Sequence, residues 1–136
     1  MQSAGSASSN QRLSYHPSAA GDARRFLTDL LAELPLASPG NLAADSSLVV
    51  HELVLNAVTH GEPDGEGGVG LSLRVDGREL VISVHDGGTD GTVAPLPSST
   101  SREHGRGLAM VAALSSRWSV DRSAGTTVTA WLALER

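Results

Sequence analysis

The chain predicts an α+β fold: a two-layer sandwich with helices on one face of a mainly antiparallel, mixed sheet. Three observations carry that expectation. Apolar residues recur at helical spacing in the first half of the chain. Short alternating runs flank two turn signals, Asp76-Gly77 and Ser123-Ala124-Gly125, in the second half. The resulting order is strand, helices, hairpin, helix, hairpin, which places runs of helices against a hairpin-built sheet.

Apart from Met1, residues 1–11 are Ser, Ala, Gly, Gln and Asn with too little apolar content to fold, so they read as a disordered tail before a single domain over 12–136. Residues 12–16 read as a short edge strand stopped by Pro17. Over 18–34, Ala23, Phe26, Leu27, Leu30, Leu31 and Leu34 fall on one helical stripe, and Pro35 closes it. Ser38-Pro39 reads as a cap with proline at the first helical position, opening a helix that ends at Gly61 as its C-cap. Residues 62–68 form a Gly- and acid-rich loop, and 65–70 look merely flexible. Strands follow at 69–75 and 79–85. Residues 87–103 lack periodicity, and loops of that length in a compact domain are usually functional. A helix over 105–115 and strands over 117–121 and 126–134 complete the chain.

Composition narrows the function. One domain fits 136 residues. A formal charge of -5 opposes a nucleic-acid-binding surface. No run approaches the roughly 18 apolar residues of a membrane span, and no signal-peptide pattern is present, so a cytoplasmic location is expected. Cysteine is absent, which excludes disulfides and thiolate metal sites. The five histidines lack ligand spacing for zinc. All ten basic residues are Arg. Without Lys, neither a P-loop nor a eukaryotic-type kinase strand lysine is available.

The residues that point to chemistry lie in four segments. Glu52, Asn56 and His60 recur every four residues in a stretch otherwise rich in Leu, Val and Ala. Positions four apart stack on one helix face. A helix apolar nearly all round is normally buried, and a carboxylate and carboxamide there need partners. A bound cation with its anionic ligand would supply them. The second segment is Asp86-Gly87-Gly88 after an apolar strand, which on its own reads as a turn. The third, Gly105-Arg106-Gly107-Leu108, opens a helix; a Rossmann reading fails because no strand immediately precedes it. The fourth is Gly125-Thr126-Thr127, entering the last strand.

In this order the four segments resemble the GHKL (Bergerat-fold) ATP-binding domains of histidine kinases, gyrase and Hsp90-type proteins. The chain is most similar to the stand-alone bacterial anti-sigma-factor serine/threonine kinases, from about residue 12 to 134. The resemblance implies ATP and Mg²⁺ as cofactors. It makes Asn56 the Mg²⁺ ligand and Glu52 the general base. Asp86 would accept from the adenine amino group, with Thr127 supporting it directly or through water, and Gly88 would let the backbone approach the base. Gly105 and Gly107 would offer helix N-terminal N–H groups to the phosphates, with Leu108 completing the motif. Arg106 is left open between a phosphate cation and a solvent-facing side chain. The implied partners are a sigma factor and a small STAS-like anti-anti-sigma antagonist, and a homodimer is expected. Two departures stand out: Asp90 occupies a position where the family usually has Gly, and the lid over 89–104 is short. They motivate an alternative, a GHKL-fold regulatory module acting by partner binding without phosphotransfer. A histidine-kinase catalytic fragment fits less well, because no dimerisation helix with a phospho-acceptor His is visible.

Overall fold

The computed structural model describes residues 7–34, 41–88 and 102–134, with only the backbone of 102–106. In chain order the elements are β1 (Ser8–Ser14), α1 (Ala19–Ala32), α2 (Leu42–His60), β2 (Gly68–Asp76), β3 (Glu79–Asp86), α3 (Arg102–Leu114), β4 (Arg117–Asp121) and β5 (Thr126–Ala133). The strands form one sheet in the order β1-β2-β3-β5-β4. Every pairing among the described residues is antiparallel, so the sheet is not mixed there.

Alternation builds the two layers. Val69, Leu71, Leu73 and Val75 of β2 point to the same side as Leu80, Ile82 and Val84 of β3 and Val128, Ala130 and Leu132 of β5, and all are buried. Side chains alternate across a strand, so this single parity makes one apolar face. The helices cover it. α1 contributes Ala19, Ala20, Ala23, Leu27 and Leu30, α2 contributes Val49, Val50, Leu53, Val54 and Ala57, and α3 contributes Leu108 and Val111. Phe26 and Leu31 pack only at the margin of this core. The buried Ser46 hydroxyl is satisfied by donating to the Leu42 carbonyl at 2.6 Å.

Several expectations change. The disordered tail predicted over 1–11 is overturned for 8–11, because β1 begins at Ser8 and pairs along its whole length with β2. Polar composition hid this strand: an edge strand needs only ladder hydrogen bonds, with Leu13 alone buried. Strand β1 ends at Ser14 rather than residue 16. The Ser38-Pro39 opening of the second helix and the whole of 89–101 lie outside the described residues. Helix α2 is not buried all round. Its outer side leaves Leu48 46% exposed and carries the half-buried Glu52, Leu55 and Asn56. No described helix is long and apolar enough to cross a membrane.

The loop between α2 and β2 is organised rather than merely flexible. Asp64 Oδ1 accepts from Arg12 Nη2 at 2.7 Å and from the Glu66 and Gly68 backbone N–H groups. The Arg12 guanidinium holds the Asp64 carboxyl below the usual carboxylate range, and the two backbone donors act in the same sense. A lowered folded pKa gives stability that is present above the ordinary value near 4 and is lost as pH falls through the folded value. Asp64→Asn is therefore expected to cost about 1 kcal/mol at neutral pH. The gap from wild type should close below about pH 4 in urea unfolding at a series of pH values.

Candidate functional site

The site sits where α2, the end of β3 and α3 converge. The alternation of β3 puts Leu80, Ile82 and Val84 into the core, and Asp86 is the next residue of that parity. A carboxylate thus arrives in the apolar layer, 6% exposed. Burial pushes its pKa above the ordinary carboxylate value; the Gly88 N–H, the adjacent His85 and the Glu62 N–H oppose that, and Asp64 adds to it. The Gly88 N–H donates to Asp86 Oδ1 at 2.6 Å, with Gly88 at φ +115°, a conformation that favours glycine. The Gly87 N–H donates to the Glu62 carbonyl at 2.7 Å, fastening the strand end to the loop after α2.

Gly61 closes α2 against this carboxylate. Its backbone is extended (φ -87°, ψ -166°), so the left-handed C-cap conformation is not what calls for glycine here. Space is. A Cβ on Gly61 would land on Asp86 Oδ2 and 2.8 Å from the Ala57 carbonyl oxygen. The helix end and the buried acid are in contact only because residue 61 has no side chain.

One turn and more back along α2, Glu52 and Asn56 open into a cleft of about 120 Å³, shared with Leu55, Thr59, His60, Gly107 and Leu108. Asn56 precedes Gly61 by five residues, about 7.5 Å of helix rise. Both side chains are half-buried, and among the described residues neither makes a hydrogen bond or ion pair. A carboxylate and a carboxamide held unpaired at a cleft wall are placed to meet a ligand. Across the cleft, α3 comes so close that a Cβ on Gly107 would fall on Glu52 Oε1. Leu108 is buried beside it and gives the cleft an apolar floor.

Two placements differ from expectation. Helix α3 starts at Arg102, three residues before Gly105. Arg, Glu and His at 102–104 carry no strong helix penalty, so the glycines did not set its start. Gly105 is the fourth helical residue, and Gly107 lies in the second turn, where its N–H belongs to the helix ladder rather than the open end. What Gly107 supplies is room for Glu52. The Arg106 side chain lies outside the described residues.

The second difference is Thr127. It pairs in register with His85, and its hydroxyl lies 2.8 Å from His85 Nδ1 on the sheet face away from the helices. Thr127 therefore does not stand beside Asp86. It lines a shallow depression of about 530 Å³ on the open face, with Arg12, Ser72, Ser83 and His85 among its neighbours. The residue opposite Asp86 is Thr126, buried at 3% exposure and on the same face. The signal for it was in the chain: Thr126 shares the parity of Val128, Ala130 and Leu132, and a shift of one residue reverses the face.

What is brought together is a buried acid at the end of an inner strand, a helix bearing Glu52 and Asn56, and a third helix whose Gly107 makes room for Glu52. No curated protein matches the chain. The model of one protein family, the histidine kinase-like ATPase domain, matches residues 13–132, which takes in every one of these elements. The chain belongs to the histidine kinase-like ATPase domain family, the GHKL group.

Proposed function

We propose that this domain is an ATP- and Mg²⁺-dependent protein serine/threonine kinase of the anti-sigma type. It would hold a sigma factor, act as a homodimer and phosphorylate a small antagonist protein. The observation that carries the reading is the pair of unpaired groups, Glu52 and Asn56, opening into one cleft on the helix whose end touches Asp86. A catalytic base and a cation ligand one turn apart suit phosphoryl transfer, which asks mainly for positioning and charge stabilisation.

Each residue has a definable task. The Asp86 carboxylate accepts from the exocyclic amino group of the purine, and the buried Thr126 hydroxyl is the group on its face able to add a second polar contact. The Asn56 side-chain oxygen is a fitting ligand for Mg²⁺, which binds few protein oxygens and shares the nucleotide phosphates. When bound, the ion neutralises charge on those phosphates. Glu52 orients the acceptor hydroxyl and takes its proton as that oxygen bonds to the γ-phosphorus and the bond to the ADP oxygen breaks. Gly107 leaves room for the carboxylate against α3, where a methyl group would displace it.

The direct test combines the protein, Mg²⁺, labelled ATP and the cognate antagonist. Label on a Ser or Thr of the antagonist is expected; its persistent absence from a verified complex would remove the kinase reading. Asp90 favours a second reading, in which the fold binds its partners without transferring phosphate. In that case Asp86→Ala would leave partner binding intact, and antagonist labelling would be absent from the wild type as well.

A further inference from the structure

Gly61 is the piece of backbone that touches Asp86, and something outside the site holds it. The Tyr15 hydroxyl donates to the Gly61 carbonyl at 2.6 Å. Tyr15 follows directly after β1 and rests its half-buried ring on the core. The Gly61 N–H is fixed on its other side by the Ala57 carbonyl at 3.0 Å. Residue 61 is thus pinned at both its polar groups, while its Cα face presses on Asp86 Oδ2. The other carboxylate oxygen is already taken by the Gly88 N–H. The Glu62 N–H, next along the chain, also donates to the carboxylate, so the direction of Oδ2 depends on where the Gly61–Glu62 backbone sits.

We infer that Tyr15 is a positioning residue for purine selection: through Gly61 it aims the Asp86 oxygen that reads the 6-substituent of the base. The inference rests on the proposed role of Asp86 in accepting from adenine. Tyr15 does not line the cleft of Glu52 and Asn56 and acts only through the helix end. Its hydroxyl is worth a place in the site because a reading group must be held within a fraction of an ångström to discriminate. The edge strand that sequence composition concealed is what delivers it.

Adenosine and inosine triphosphates differ at the position in question, since inosine carries a carbonyl where adenosine carries the amino group. They differ also at N1, an acceptor in adenosine and an N–H donor in inosine, so their ratio of affinities reports the purine edge that Asp86 is proposed to read. Calorimetric titration of the wild type is expected to favour ATP over ITP by about tenfold or more. Tyr15→Phe keeps the ring and removes one donor, so melting should move only a few degrees. Its ATP/ITP ratio is expected to narrow at least about threefold. Gly61→Ala displaces the same carboxylate from the opposite side and should narrow the ratio as well. A Tyr15→Phe protein that weakens both nucleotides equally, or neither, would show that the hydroxyl merely satisfies the helix end and would overturn the inference alone. A wild type that does not distinguish ATP from ITP would overturn the adenine role of Asp86 and this inference with it.

Discussion

Asp86→Asn is expected to lower ATP affinity about 100-fold or more while leaving the chain folded. The substitution exchanges an acceptor for a donor at a buried site built to receive an amino group, and mismatched buried polar groups carry the full desolvation penalty. Isothermal titration should show the loss, and circular dichroism should show the retained fold. Stability adds a second signature. Burial raises the Asp86 pKa, so the folded state holds the proton more tightly than the unfolded chain. Stability is then highest below the ordinary carboxylate value and is lost as pH rises through the window up to the raised value. Above that window the wild type carries the cost of a buried charge in full, and the Asn variant carries none of it. Whatever the offset from the mispaired amide, the variant's stability relative to wild type should improve as pH rises from the ordinary carboxylate value through the raised one. A difference that does not vary with pH would mean that Asp86 titrates as an exposed acid and is not the buried reader proposed.

The same residue shows what could be read before the fold was seen. Asp86 was legible as a carboxylate at the end of an apolar run, followed by glycines and standing second of four segments in a familiar order; on its own it reads as a turn. Glu52 and Asn56 were legible from their period of four, and the structure places both on one cleft wall. Thr127, expected to support Asp86, faces the other side of the sheet, because strand parity and not the motif Gly125-Thr126-Thr127 decides its face. The parity wins, since core packing fixes which face each residue takes.

Other features rest on contacts that no local pattern encodes. Gly61 looked like an ordinary helix terminator, and its contact with a carboxylate 25 residues later is a tertiary fact. Strand β1 has the composition of a tail; only pairing with β2 gives Ser8–Gln11 a structure. Asp64 sat in a loop whose glycines suggested freedom, yet its links to Arg12, Glu66 and Gly68 make it the organiser of that loop. Gly61 and Asp64 bear on Asp86 or the loop beside it rather than on the cleft of Glu52. The proposed adenine end of the site is therefore the part least visible from sequence, and the proposed catalytic end the part most visible.

At that catalytic end, Glu52→Gln is expected to reduce phosphotransfer to the antagonist by about 10²- to 10⁴-fold, the usual contribution of a positioned general base. ATP affinity should stay within about threefold, because Asn56, Asp86 and Gly88 are untouched. Glutamine keeps the size of the side chain, so the contact with Gly107 survives and only the proton acceptor is lost. Gly107→Ala makes the complementary change. Its methyl would occupy the space of Glu52 Oε1, and the carboxylate must swing aside with its basicity intact. If Glu52 works as a base at a fixed point, both variants lose rate and keep nucleotide. Only Gly107→Ala should regain part of that rate when the added methyl is relieved by Glu52→Asp, whose shorter side chain draws the carboxylate back from α3. Full activity in Glu52→Gln would leave Glu52 no part in the chemistry, and the unpaired carboxylate in the cleft would need another ligand to explain it.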